Sequence, residues 1–205
     1  MTKITTVLID FGGVIADEGF REGLREIGRR NGLSPDQFFL DAERLIAETG
    51  YLTGGARERE FWEALRQETG VMELDGVLRE EILRRFTLRP AMIAWLDRMR
   101  AAGLTVAMLS DQTNWLEEID AETGLFHHVD RVFNSFRLGK SKRDATLFDD
   151  ACKALHSEPS ATLFIDDNPG HIERAALRGL RTLRFTGIPD FERQIHSLLP
   201  QLVKG

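Results

Sequence analysis

From Pro90 onward the sequence alternates helical periodicity with apolar runs of strand length, and this alternation restricts the chain to a parallel sheet covered by helices on both faces. Pro90 opens a helix carrying Ile93, Leu96 and Met99, Gly103 ends it, and Leu104 to Leu109 read as a buried strand stopping at Ser110. A helix over about Trp115 to Glu122, a short strand at Arg131 to Asn134, a polar loop through Lys142 and a helix over Ala145 to Leu155 follow. The strand Thr162 to Ile165 ends at Asp166-Asp167, and a helix from His171 to Arg178, a strand Arg181 to Phe185 and a last helix over about Asp190 to Leu199 complete the series. Right-handed crossovers put the ends of all such strands on one edge, where open α/β sheets present their reactive groups.

One further strand stands apart from this series. Thr6-Val7-Leu8-Ile9 runs into Asp10 and then Gly12-Gly13, and after Ile15 the pattern turns helical. The first helix spans about Phe20 to Arg30, with Phe20, Leu24 and Ile27 on one face and Gly32 closing it. Ser34-Pro35-Asp36-Gln37 has the form of a capping box with Pro at the first helical position, ahead of an apolar stripe of Phe38, Phe39, Ala42, Leu45 and Ile46. A third helix near Arg57 to Glu68 should bury Phe61, Trp62 and Leu65, and a fourth near Leu74 to Phe86 should bury Val77, Leu78, Ile82 and Phe86. Residues 17–88 therefore read as a four-helix cap inserted into an α/β core made of residues 1–16 and 89–205.

The composition suits such a fold and excludes several functions. With 42% hydrophobic and 29% charged residues the chain can bury a substantial core. A net charge of -6 argues against a nucleic-acid surface, and Arg137 to Arg143 is the nearest approach to a basic cluster. Cys152, the single cysteine, allows no internal disulfide, fits a reducing compartment and reads as a small buried hydrophobe. The first residues lack the form of a signal peptide and no apolar stretch is long enough to span a membrane, so the expected address is the cytoplasm.

Asp10 alone would be explained by the turn that follows it. Together, however, the strand ends and the loops after them carry Asp10, Ser110, Lys142 and Asp166-Asp167. Carboxylates brought this close repel one another unless a cation neutralises them, and hard oxygen ligands with an open position favour Mg²⁺. A phosphate oxygen could fill that position, with Ser110 and backbone N–H groups binding the other oxygens and Lys142 supplying positive charge. Asp10 could then attack phosphorus and form an aspartyl phosphate.

Four stretches give this order a family likeness. Val7-Leu8-Ile9-Asp10-Phe11-Gly12, Met108-Leu109-Ser110, Gly139-Lys140-Ser141-Lys142 and Phe164-Ile165-Asp166-Asp167-Asn168 resemble the four motifs of the haloacid dehalogenase-like hydrolase superfamily, with its Rossmann-like core. The helical insertion between the first two is similar to the type-one cap of subfamily IA, in the branch of sugar-phosphate phosphatases and epoxide-hydrolase N-terminal phosphatases. The resemblance implies that Asp10 is nucleophile and metal ligand, Gly12 a backbone carbonyl ligand, Asp167 a direct metal ligand and Asp166 a ligand beside it or in the outer shell. It puts Lys142, and not Lys140, at the lysine position of the third motif, and it places Ser110, Asp111 and Lys142 at the substrate phosphate.

Two positions depart from the pattern. Gly12 stands where phosphatases of this family carry a second Asp that protonates the leaving group, and such a loss costs on the order of 10² to 10⁴ in rate. Asp111 stands where many relatives have Asn; it is either a substitute acid or a solvent-facing helix cap. Arg143 receives no role, His171 reads as a surface or capping residue, Trp62 and Trp115 as core, and Glu18, Phe20 and Tyr51 as cap residues able to touch substrate. The expected activity is Mg²⁺-dependent hydrolysis of a small phosphorylated metabolite by a monomer or homodimer. The alternatives are a metal-independent 2-haloacid dehalogenase and a catalytically weak protein that binds a phosphorylated ligand or partner.

Overall fold

A computed structural model describes residues 2–200 and 202. Five parallel strands form its sheet: β1 (Thr6–Ile9), β2 (Thr105–Ser110), β3 (Arg131–Asn134), β4 (Thr162–Asp166) and β5 (Arg181–Arg184), in the order β3-β2-β1-β4-β5. β1 is central, and Ile9 pairs with Met108 on one side and Ile165 on the other. Asp10 therefore leaves the sheet between the ends of β2 and β4, as the strand alternation requires.

Strand side chains alternate between two apolar layers. Leu8, Leu109 and Phe164 face one layer, which α8 (Thr146–Ala154) and α9 (Pro169–Leu177) cover; Phe148 of α8 meets Phe164 with ring centroids 5.0 Å apart. Cys152 is buried in this layer, as its apolar neighbours imply. Val7, Ile9, Met108 and Ile165 face the other layer, formed with α5 (Pro90–Ala101) and α10 (Ile188–Leu198). α6 (Trp115–Thr123) follows β2, and a single helical turn, α7 (Ser135–Leu138), sits in the stretch expected to be a polar loop.

Between β1 and α5 lie α1 (Gly19–Arg30), α2 (Pro35–Glu48), α3 (Glu58–Thr69) and α4 (Asp75–Leu83). Their apolar stripes continue the second core layer, with Leu24, Ile27, Phe38, Phe61, Trp62, Leu65, Leu78 and Ile82 all buried. Three local expectations fail. Val77 is 45% exposed, because the buried line of α4 runs through Leu78 and Ile82 and position 77 turns away from it. Ser34 makes no side-chain capping bond, and the Gln37 amide donates instead to Asp41. α4 ends before Phe86, which lies buried beyond it and stacks on Phe11 at 5.3 Å.

The inserted helices meet the sheet-bearing part through polar ties. Glu58, at the start of α3, accepts hydrogen bonds from the indoles of Trp62 (2.9 Å) and Trp115 (3.0 Å). Tyr51 donates its hydroxyl to Asn114 at 2.7 Å, Ser135 Oγ donates to the Leu52 carbonyl at 3.0 Å, and Arg79 pairs with Glu118. On the opposite side, where the chain leaves and re-enters the sheet region, the Arg89 guanidinium holds the carbonyls of Gly13 and Val14 and pairs with Asp17.

Candidate active site

The carboxyl edge of the sheet opens into a cavity of about 220 Å³ beneath α1 and α2. At its floor the Lys142 ammonium lies 2.8 Å from Asp10 Oδ1 and 2.7 Å from Asp166 Oδ2, with Lys142 1% and Asp166 0% exposed. A flexible cation so deeply buried has to be held in place. Its backbone is fixed as firmly as its tip: the Lys142 N–H donates to Asp111 Oδ1 at 2.8 Å, and Arg174 Nε donates to the Lys142 carbonyl at 2.8 Å.

Asp10 Oδ1 also accepts the Phe11 N–H at 2.7 Å. Burial and then the nearby Asp166 push the Asp10 carboxyl well above its ordinary value, although Lys142 pulls it down. Burial opposes ionisation of Asp166 too, but Lys142 and His171 outweigh it and hold that carboxyl well below the usual range. Asp167 is raised by burial and by Asp166. Lys142 in turn is held above its normal value: desolvation alone would lower it, and Asp10 and Asp166 reverse that.

Oxygens of Asp10, Asp166 and Asp167 all lie within 4.8 Å of one another. Three acids against one ammonium leave an excess of negative charge, and the donor set consists of hard oxygens, which fits a small divalent cation. Gly13 makes the cluster possible: its φ is +80°, and a Cβ there would collide with the Asp167 carboxylate. Gly12 lines the cavity next to it, in the bridge that pairs it with Ala16.

The cavity brings together Asp10, Gly12, Ser110, Asp111, Lys142 and Asp167 from the residues expected at the site. Asp166 sits directly behind them. The Asp111 carboxylate is engaged with the Lys142 loop, which corresponds neither to a free acid nor to a solvent-facing cap. Lys140 is a loop charge paired with Asp150 at 2.5 Å. Glu18 and Phe20 reach the cavity, whereas Tyr51 is tied to Asn114 away from it. Trp62 and Trp115 are fully buried core residues.

His171 and Arg174 were not legible as site residues. Asn168 caps α9 and starts it so close to the β4 end that its first turn aims His171 Nδ1 at Asp166 Oδ2, 3.2 Å away. Only the short Asp167-Asn168 link between strand and helix hinted at that. Above the cavity, Phe20 and Phe39 make an edge-to-face pair at 6.5 Å, and the Arg21 guanidinium lies over Phe39 at 5.4 Å. Burial lifts the Glu18 carboxyl above its ordinary range despite Arg21.

A parallel sheet whose carboxyl edge gathers three acids and a buried lysine under inserted helices defines a Rossmann-like α/β protein with a polar, cation-ready centre. Residues 4–177 match the family model described as haloacid dehalogenase-like hydrolase, and the chain belongs to that family. It is 25% identical to the GMP/IMP nucleotidase YrfG of Escherichia coli, over 96% of this chain and 91% of that protein. Its fold is similar to HAD family enzyme bt-2542 of Bacteroides thetaiotaomicron in its magnesium complex (TM-score 0.76, 18% identity, 95% of this chain and 99% of that one). It is also similar to the L-2-haloacid dehalogenase of Xanthobacter autotrophicus (TM-score 0.67, 18% identity, 95% and 83%).

Proposed function

We propose that this hydrolase is a Mg²⁺-dependent phosphatase of small phosphorylated metabolites, acting through an aspartyl phosphate on Asp10. The observation that carries the reading is the clustering of Asp10, Asp166 and Asp167 within 4.8 Å beside a single buried lysine. A haloacid carries one negative charge and needs no metal, so it gives no reason to gather the second and third acid. The similarity to a nucleotidase supports a phosphate monoester and makes nucleoside monophosphates the first substrates to try.

In this mechanism Asp10, Asp167 and the Gly12 carbonyl would hold the cation, with Asp166 beside them. The cation would supply charge neutralisation for the phosphoryl group. Asp10 attacks phosphorus with its free oxygen. Lys142 fixes the orientation of that carboxylate and opposes the charge of the phosphoryl oxygens, while Ser110, at the end of β2, donates to one of them. Arg174 and Asp111 keep the lysine loop in place. The helical insertion acts as the cap, excluding water and contacting the ester group through Phe20, Phe39 and Arg21.

The reading is tested with a panel of nucleoside monophosphates, sugar phosphates and 2-haloacids, assayed with Mg²⁺ and with chelator, alongside Asp10→Asn. Phosphate release that requires Mg²⁺ and falls more than about 10³-fold in Asp10→Asn is expected. Halide release that survives the chelator overturns it in favour of the dehalogenase. A phosphate ester that raises the melting temperature without being turned over indicates a binding protein instead.

A further inference from the structure

We infer that Glu18 is the proton-transferring residue of this site, filling in space the role that Gly12 leaves vacant in sequence. The inference rests on the phosphatase reading above.

Gly12 is not small because the site is crowded by backbone. A Cβ built on it would meet only a ring carbon of Phe86 at 3.6 Å and Glu18 Oε2 at 3.7 Å, both ordinary contacts. The volume that a side chain at position 12 would enter is thus bordered by a carboxylate delivered from six positions further along the chain. Glu18 is the residue just before α1, and its Oε1 accepts the Arg21 N–H at 3.4 Å. The other oxygen, Oε2, lies on the Gly12 side, and Glu18 lines the cavity together with Asp10.

The other titratable groups at the floor are already engaged. Asp10 is the nucleophile, Asp167 is given to the cation, Asp166 is bound by Lys142 and His171, and Asp111 accepts the Lys142 N–H. Glu43 reaches the cavity from α2, where its nearest charged partner is Arg143 at 3.8 Å. With Asp167 given to the cation, Glu18 is the half-buried carboxylate left beside the turn that carries the nucleophile. Gly12 and Glu18 also form a matched pair, since an Asp at position 12 would thrust a second acid against Glu18.

The chemistry balances over two steps. As an Asp10 oxygen bonds to phosphorus, the phosphorus–ester oxygen bond breaks, its electron pair stays on the leaving oxygen, and the Glu18 carboxyl gives that oxygen its proton. The Glu18 carboxylate then takes a proton from water as the water oxygen bonds to phosphorus and the bond to Asp10 breaks. Inorganic phosphate leaves, and both carboxyl groups return to their starting states.

The test is Glu18→Gln, which keeps the Arg21 bond through its amide oxygen, with p-nitrophenyl phosphate and an alkyl phosphate compared in single-turnover and steady-state assays with Mg²⁺. Phosphoenzyme formation from the alkyl ester should slow by about 10² to 10³, while formation from the nitrophenyl ester, whose leaving group needs no proton, stays within about fivefold of wild type. Hydrolysis of the phosphoenzyme should slow for both, so labelled phosphate accumulates on Asp10 after a burst of nitrophenolate. The double variant Gly12→Asp, Glu18→Gln should recover at least about tenfold of the alkyl-ester rate. Equal slowing of formation for both esters, a loss residing wholly in KM, or no accumulation overturns the inference. If Glu18→Gln does not fold, the wild type is assayed across leaving groups of graded acidity: a nearly flat formation rate supports a proton donor and a steep one overturns it. A wild type that releases no phosphate from any ester fails the phosphatase reading and takes this inference with it, whereas wild-type turnover with parallel profiles overturns the inference alone.

Discussion

Lys142 is buried and charged because two carboxylates face it, and the same contacts make it the strongest single determinant of the site's electrostatics. Lys142→Met preserves most of its volume but leaves Asp10 and Asp166 facing each other without a cation. Breaking a buried ionic cluster this way costs about 3–5 kcal/mol. The variant should therefore melt well below wild type, and added Mg²⁺ should raise its melting temperature more than it raises that of wild type, because the metal then has more charge to neutralise. A thermal-shift titration of both proteins checks this, and equal Mg²⁺ responses would contradict the arrangement of the cluster. Gly13 belongs to the same scale: its positive φ and its closeness to Asp167 let the turn after β1 approach the end of β4.

Among the inserted elements, α4 carries an acid that behaves unlike its neighbours. Glu81 is 4% exposed and is bound by Arg30 (2.8 Å), Arg84 (2.5 Å) and Arg85 (2.6 Å), so it joins α4 to the end of α1. Burial opposes its ionisation, but the hydrogen bonds from Arg84 and Arg85 outweigh it and lower its carboxyl below the ordinary value. A depressed carboxyl contributes stability above the unfolded-state pKa, near ~4.3, and loses it as pH falls through the folded value. Glu81→Gln should cost about 2 kcal/mol at neutral pH and should flatten the loss of stability below about pH 4, as read by denaturant melts across pH. The legibility of the elements follows a similar division between local and assembled features. Apolar runs ending in Asp10, Ser110 and Asp166 announced both the strands and the site, because a parallel sheet collects strand ends on one edge. His171 and Arg174 carry no such local mark, since they lie along α9 and only tertiary packing brings them to Asp166 and the Lys142 carbonyl, while Glu18 was placed among the cap residues without its closeness to Gly12 being legible. Val77 misled for the converse reason: its apolarity fits a helical stripe, yet the line that α1 covers lies one residue further on.

For the molecule as a whole, the inserted helices are tied to the sheet-bearing part on two sides. Glu58 receives the indole of Trp115 on one side, and on the other Arg89, itself braced on the Gly13 and Val14 carbonyls, pairs with Asp17 at the start of the insertion. The Arg89 clasp sits on the segment that also carries Gly13, so one guanidinium braces both the start of the insertion and the turn beside Asp167. An enclosure anchored at both flanks works as a sieve of fixed mesh rather than as a door. Its throughput is then governed by bond-breaking and not by the friction of a swinging part, so kcat should be insensitive to solvent viscosity raised with sucrose. Glu58→Gln, which weakens one anchor, should make kcat fall as viscosity rises; a wild type already slowed in proportion to viscosity would mean that the anchored flanks give way in every turnover.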